Sequence, residues 1–141
     1  MHEILAQAFE AAKRSHDPST KVGAVVVDQR GCRWFGWNQF PRGIPSTWWT
    51  DRELKYRAVV HAEMAALLQY GLYTDGATMY VTHHPCCECA KFIAFAGISK
   101  VVCPSGPWRD DPAIDRMCRQ AKLILDLAGV EVVHHTNGVL D

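Results

Sequence analysis

Two polar clusters each open an alanine-rich stretch of this chain. His61-Ala62-Glu63 begins HAEMAALLQYG, and Pro85-Cys86-Cys87-Glu88-Cys89 leads into CCECAKFIAFAG. Both stretches are dense in helix-forming residues, and Gly71 supplies a stop for the first. One short β-rich run, ATMYVTH, lies between them. This order constrains the fold. In a parallel β-α-β arrangement the helices start at the same edge of the sheet, so the two clusters are brought face to face.

The rest of the chain supports such a sheet. Ile4, Leu5, Ala8, Phe9 and Ala12 recur at helical spacing ahead of the turn HDPST. VGAVVVD and CRWFGW, separated by QRG, read as a β-hairpin. A polar, proline-containing loop runs from Asn38 to Thr50, and DRELKYRAV follows it without a decisive period. SKVVCP is a strand, DPAIDRMCRQAKLILDLAG is an amphipathic helix with Pro112 in its first turn and Gly129 at its end, and VEVVHH is the last strand. Strands alternating with helices after one hairpin imply an α/β fold, a mixed sheet with helices on both faces.

At 141 residues and 48 % hydrophobic content the chain suits one cored domain spanning residues 1–141. Fifteen basic residues balance fifteen acidic ones, which disfavours a nucleic-acid partner because gripping phosphates usually requires a basic surface. No apolar run approaches a membrane span and the start lacks a secretory pattern, so a cytoplasmic protein with no membrane partner is expected. In that reducing compartment the six cysteines are metal ligands or buried thiols, not a disulfide framework. Cys32, Cys103 and Cys118 are expected to be buried.

Helical geometry sorts the remaining cysteines. Cys86 and Cys89 share a face, whereas Cys87 is rotated from Cys86 by about 100° and Glu88 by about 200°. The helix start favours thiolates, and thiolates favour a borderline ion such as zinc. With His61 the ligand count reaches three, which leaves a fourth position for water, the mark of a catalytic site. Bound zinc lowers the pKa of that water, and Glu63 can face it as a proton shuttle without binding the metal. A closed structural site would need Cys87, His83 or His84 as fourth ligand and would leave Glu63 without a task.

His-x-Glu followed by Pro-Cys-x-x-Cys is the signature of the zinc nucleobase deaminases. On HAE and PCCEC the chain resembles the cytidine/deoxycytidylate deaminase superfamily. On DPSTKVGAVVVD, GWNQFPRG, DRELKYRAVVHAE, GATMYVTHHPCCECAK and AGISKVV it is most similar to the deoxycytidylate (dCMP) deaminase branch. The resemblance implies a three-layer α/β/α cytidine deaminase-like fold with a five-stranded sheet whose first two strands are antiparallel. It implies that His61, Cys86 and Cys89 hold zinc and that Glu63 passes a proton to cytosine N3 and later to the departing amine. It also implies that the backbone around Ala62 bonds the base edge, that Asn38 bonds the sugar, and that Thr20 touches base or phosphate. A homo-oligomer and a cytosine mononucleotide substrate are expected.

A mononucleotide needs a partner for its 5′-phosphate, and Lys21, Arg42, Arg52, Lys55 and Arg109 are the basic candidates. Lys21 and Arg109 are preferred, because the resemblance places both segments at the pocket mouth; Trp108 beside them is a candidate to stack on base or sugar. Trp48 and Trp49 suggest an oligomer contact. Regulated dCMP deaminases show Gly-Tyr-Asn-Gly, a segment linked to dCTP and dTTP binding, where this chain has Gly36, Trp37, Asn38 and Gln39; the departure argues against that regulation. The rivals are a tRNA adenosine deaminase, which shares the zinc motif, and a catalytically silent zinc module, against which Glu63 stands.

Overall fold

The computed structural model describes residues 1–71, 74–105 and 111–141. In chain order it comprises α1 (Glu3–Ala12), β1 (Gly23–Val27), β2 (Arg33–Trp37), a 3-10 helix (Ser46–Thr50), α2 (Arg52–Ala58), α3 (Ala62–Tyr70), β3 (Thr78–Val81), α4 (Cys87–Phe95), β4 (Lys100–Pro104), α5 (Pro112–Leu127), β5 (Glu131–Thr136) and β6 (Val139–Leu140). The sheet order is β2-β1-β3-β4-β5-β6. β1 is antiparallel to both β2 and β3, while β3, β4 and β5 run parallel. No helix among the described residues is long and apolar enough to cross a membrane.

Two glycines seat the helices on the sheet. A methyl group at Gly23 would overlap the backbone of Ala8 and Ala12 in α1, and one at Gly36 would overlap the Ala62 carbonyl and the Ala66 amide in α3. Gly36 pairs with Ala24, the neighbour of Gly23, and successive strand residues face opposite sides. α1 and α3 therefore cover opposite faces, as the alternation of elements implied. On the α3 side, Leu67, Ile93 and Leu125 from α3, α4 and α5 close over Val26, Met79, Val81 and Val101 of the sheet. Truncating any of these large side chains to alanine removes about 2–5 kcal/mol.

The sheet has six strands where five were expected. After β5 the chain turns through Asn137 (φ 51°) and Gly138 (φ 87°), both left-handed, and returns as β6 with Thr136 opposite Val139. A two-residue Asn-Gly turn of this kind matches the right-handed twist of its strands. The turn is marked in the sequence by TNGV at residues 136–139, but β6 spans only two residues and so forms no β-rich run.

His135 anchors this hairpin. Its ring is buried, its Nε2–H donates to the Val81 carbonyl at 2.9 Å, and its Nδ1 accepts from the Gly138 amide at 3.1 Å. Removing the ring strands both partners and leaves a void. His135→Ala is expected to lower stability by about 2–4 kcal/mol. Urea denaturation checks this, and a loss under about 1 kcal/mol would show that the hairpin holds without the ring.

Other expectations divide. Cys103 and Cys118 are buried, but Cys32 is exposed, because it lies in the hairpin turn ahead of β2. The indecisive DRELKYRAV contains α2, whose Asp51 cap accepts from the Leu54 amide at 3.2 Å. Trp49 stacks on Phe40 with ring centroids 3.9 Å apart, so one of the two loop tryptophans is engaged inside the chain.

Candidate active site

β2 and β3 point the same way, since each is antiparallel to β1, and α3 and α4 begin beyond their ends. His61 caps α3 and Cys86 caps α4, both with extended backbone and neither using its side chain to hold its own helix. Both side chains instead face the space between the helix starts. His61 Nδ1 stands 3.5 Å from Cys86 Sγ and 3.4 Å from Cys89 Sγ, and the three donor atoms lie within 4.8 Å of one another. Ligands bound at about 2.0–2.3 Å to one tetrahedral centre stand roughly 3.5–3.8 Å apart, so the spacing fits zinc, as does the one-nitrogen, two-sulfur donor set. Cys87 lies outside this group and packs against the core.

Without a metal, the electrostatics favour the ligand form at Cys86 alone. A hydrogen bond from Cys89 holds the Cys86 thiol far down, at about 4, while the same contact and burial push Cys89 up, so the pair favours its thiolate on Cys86. Contact with Cys86 in turn raises His61 to about 8. Glu63, in the first turn of α3, is 4 % exposed. Burial raises its pKa, against the nearby His61 charge and hydrogen bonds from its own amide and from the Cys89 thiol. A buried carboxyl poised to hold or release a proton thus stands beside the cluster.

These groups open onto a cavity of about 670 Å³. Val22, Val59, Ile114 and Met117 give it apolar walls, and Thr20, Asn38, Ala62, His83 and His84 also line it. His84 Nδ1–H donates to the Pro85 carbonyl at 2.8 Å, and burial lowers its pKa to about 4, so it presents a neutral ring. Lys21 does not reach the cavity. Its neighbours Thr20 and Val22 are among the lining residues, whereas Lys21 is exposed and lies outside the lining. Arg42 lines a separate hollow of about 390 Å³ with Trp37 and Trp49. Trp108 and Arg109 lie outside the described residues.

Asn38 is engaged by the protein itself. Its Oδ1 accepts from the Val22 amide at 2.9 Å, and its Nδ2 donates to the Thr20 carbonyl at 2.9 Å and to Asp17 at 3.2 Å. Only a second Oδ1 lone pair is left over for a ligand. The centre of this network is Asp17, 3 % exposed, which also accepts from the Ser19 and Thr20 amides and from Lys55. Burial alone would raise the Asp17 pKa, but these bonds outweigh it and hold it below the usual carboxylate range. Its stabilisation is therefore present above that range and lost as pH falls through the lowered value. Sequence reasoning took Asp17 only as part of a turn. A carboxylate followed by Pro, Ser and Thr marks such a loop, but nothing local points to Lys55.

The sequence model of the family described as cytidine and deoxycytidylate deaminase zinc-binding region matches residues 1–105. A Drosophila melanogaster protein named probable deoxycytidylate deaminase is 38 % identical over 146 residues, covering 94 % of this chain and 70 % of that one. The human deoxycytidylate deaminase is 36 % identical over 137 residues, covering 90 % and 74 %. The crystal structure of the dCMP deaminase from cyanophage S-TIM5 in complex with dCMP and dUMP superposes with a TM-score of 0.71 at 30 % identity, covering 94 % and 93 %. The match takes in the His61, Glu63, Cys86 and Cys89 segment whole, and the chain belongs to the cytidine and deoxycytidylate deaminase family.

Proposed function

We propose that this protein is a zinc-dependent dCMP deaminase, converting dCMP and water to dUMP and ammonia. The observation that carries the reading is the buried Glu63 carboxyl, hydrogen-bonded to a cysteine of a three-donor cluster at the floor of a cavity of nucleotide size. The dCMP and dUMP bound by the similar cyanophage enzyme support the choice of substrate.

His61 Nδ1, Cys86 Sγ and Cys89 Sγ would hold the zinc, which supplies Lewis acidity that makes water nucleophilic near neutral pH. The protein's own residues do the rest. Glu63 accepts a proton from the attacking water and delivers it to cytosine N3; it then takes the remaining proton of the oxygen now bonded to C4 and gives it to the amine, so that the C=O bond forms as the C–N bond breaks and ammonia leaves. The backbone of Ala62, at the start of α3, presents polar groups to the base edge. Val22, Val59, Ile114 and Met117 offer flat apolar contact and limit water. Asn38 and the Asp17 network set the loop that carries Thr20, the proposed base or phosphate contact.

Ammonia release and the accompanying ultraviolet change on dCMP, CMP, deoxycytidine, 5-methyl-dCMP and an adenosine-containing tRNA anticodon stem test the reading. Turnover confined to cytosine mononucleotides is expected. Activity on the RNA stem alone would leave the metal chemistry standing and overturn the substrate.

A further inference from the structure

Among the described residues, one arginine and one lysine line the cavity, Arg52 and Lys55, both on α2. They are not equivalent. Lys55 Nζ stands 2.9 Å from each carboxylate oxygen of Asp17 and 3.0 Å from Ser19 Oγ. Those contacts use all three of its N–H donors and offset its charge. Arg52 is exposed to the cavity and enters no ion pair among the described residues, its guanidinium resting over the Tyr56 ring at 5.6 Å. The acidic groups that face the same cavity are otherwise occupied. Asp17 is matched by Lys55, Asp111 caps α5 by accepting from the Ala113 amide at 2.9 Å, and Glu63 lies at the floor beside the cysteines.

The way α2 is held adds a second observation. The excursion 40–59 leaves the sheet at Gln39 and returns at Val60, where two backbone hydrogen bonds of 3.0 and 2.8 Å close its neck. No residue of α2 is buried, so apolar packing does not fix the helix. The bond from Lys55 to the buried Asp17 ties α2 to the loop that carries Thr20.

We propose that Arg52 recognises the 5′-phosphate of the substrate, and that the Lys55–Asp17 pair is the strut that places it there. The proposal rests on the mononucleotide reading above and names the residue that separates nucleotide from nucleoside. A guanidinium offers paired donors matched to phosphate oxygens, and an uncompensated one at the wall of a mostly apolar cavity binds a dianion strongly.

Isothermal titration of the zinc-loaded protein with dUMP and with deoxyuridine tests it without requiring turnover. For Arg52→Gln, dUMP binding is expected to weaken on the order of 10- to 100-fold while deoxyuridine binding is unchanged. Arg52→Lys, which keeps the charge but not the fork, should recover part of the loss. A glutamine variant that binds dUMP as wild type does, or that loses both ligands in the same proportion, overturns the role. Wild-type protein that binds dUMP no better than deoxyuridine overturns it as well, and there the failure is that of the mononucleotide reading, visible before any substitution is made.

Discussion

Glu63→Gln is expected to leave the metal content of the protein unchanged and to slow deamination by about 10²- to 10⁴-fold, the usual contribution of a placed general acid–base. Glutamine keeps the shape of the side chain and an acceptor oxygen for the Cys89 thiol, but it cannot carry a proton from water to the base. The substitution also removes an ionisable group from a site where burial already disfavours its charge, so the fold should tolerate it. Zinc stoichiometry by elemental analysis and single-turnover rates on dCMP give the two readings. A variant of near-normal rate would sink the proton-transfer role. One that lost zinc together with activity would show instead that Glu63 holds the cluster in place.

Cys86→Ala is expected to empty the cluster of metal, and Cys87→Ala to leave it filled. Structural zinc sites hold the ion by roughly 10–16 kcal/mol shared over their ligands, so at the proposed site one thiolate fewer should weaken retention on the order of 10²- to 10³-fold or more. Cys87 sits one position along α4 and packs against the core, so its loss removes a small apolar group and nothing from the donor set. Metal content after dialysis against a weak chelator separates the pair. A Cys87 variant that loses zinc refutes the assignment of ligands.

The contrast between these neighbouring cysteines was legible in the sequence because helical spacing alone sorts them. His61 could be joined to them because a helix, a strand and a helix in order leave few ways to build a parallel sheet. The features that escaped were set by distant or minimal contacts. α2 buries no residue and so writes no apolar period, and the ion pair that ties it spans 38 positions. Lys21 sits between two residues that line the cavity yet stays out of it, a distinction that single positions of an irregular loop do not write into the sequence. Cys32 belongs to a β-rich run by composition, yet the hairpin turn carries it into solvent.

Gly36 bears on how this protein can change. Because α3 rests there on the backbone of β2, not even a methyl group fits between them at that position. Side chains meet only farther along, where Trp34 of β2 packs edge-on against Tyr70 at the other end of α3 with ring centroids 4.4 Å apart. Exchanges among valine, leucine and isoleucine elsewhere under α3 can alter the volume of the core without levering Ala62 and Glu63 away from the sheet. The end of the helix that carries Glu63 is thereby insulated from sequence drift in the interior, and a redesign of the core under α3 must leave Gly36 alone.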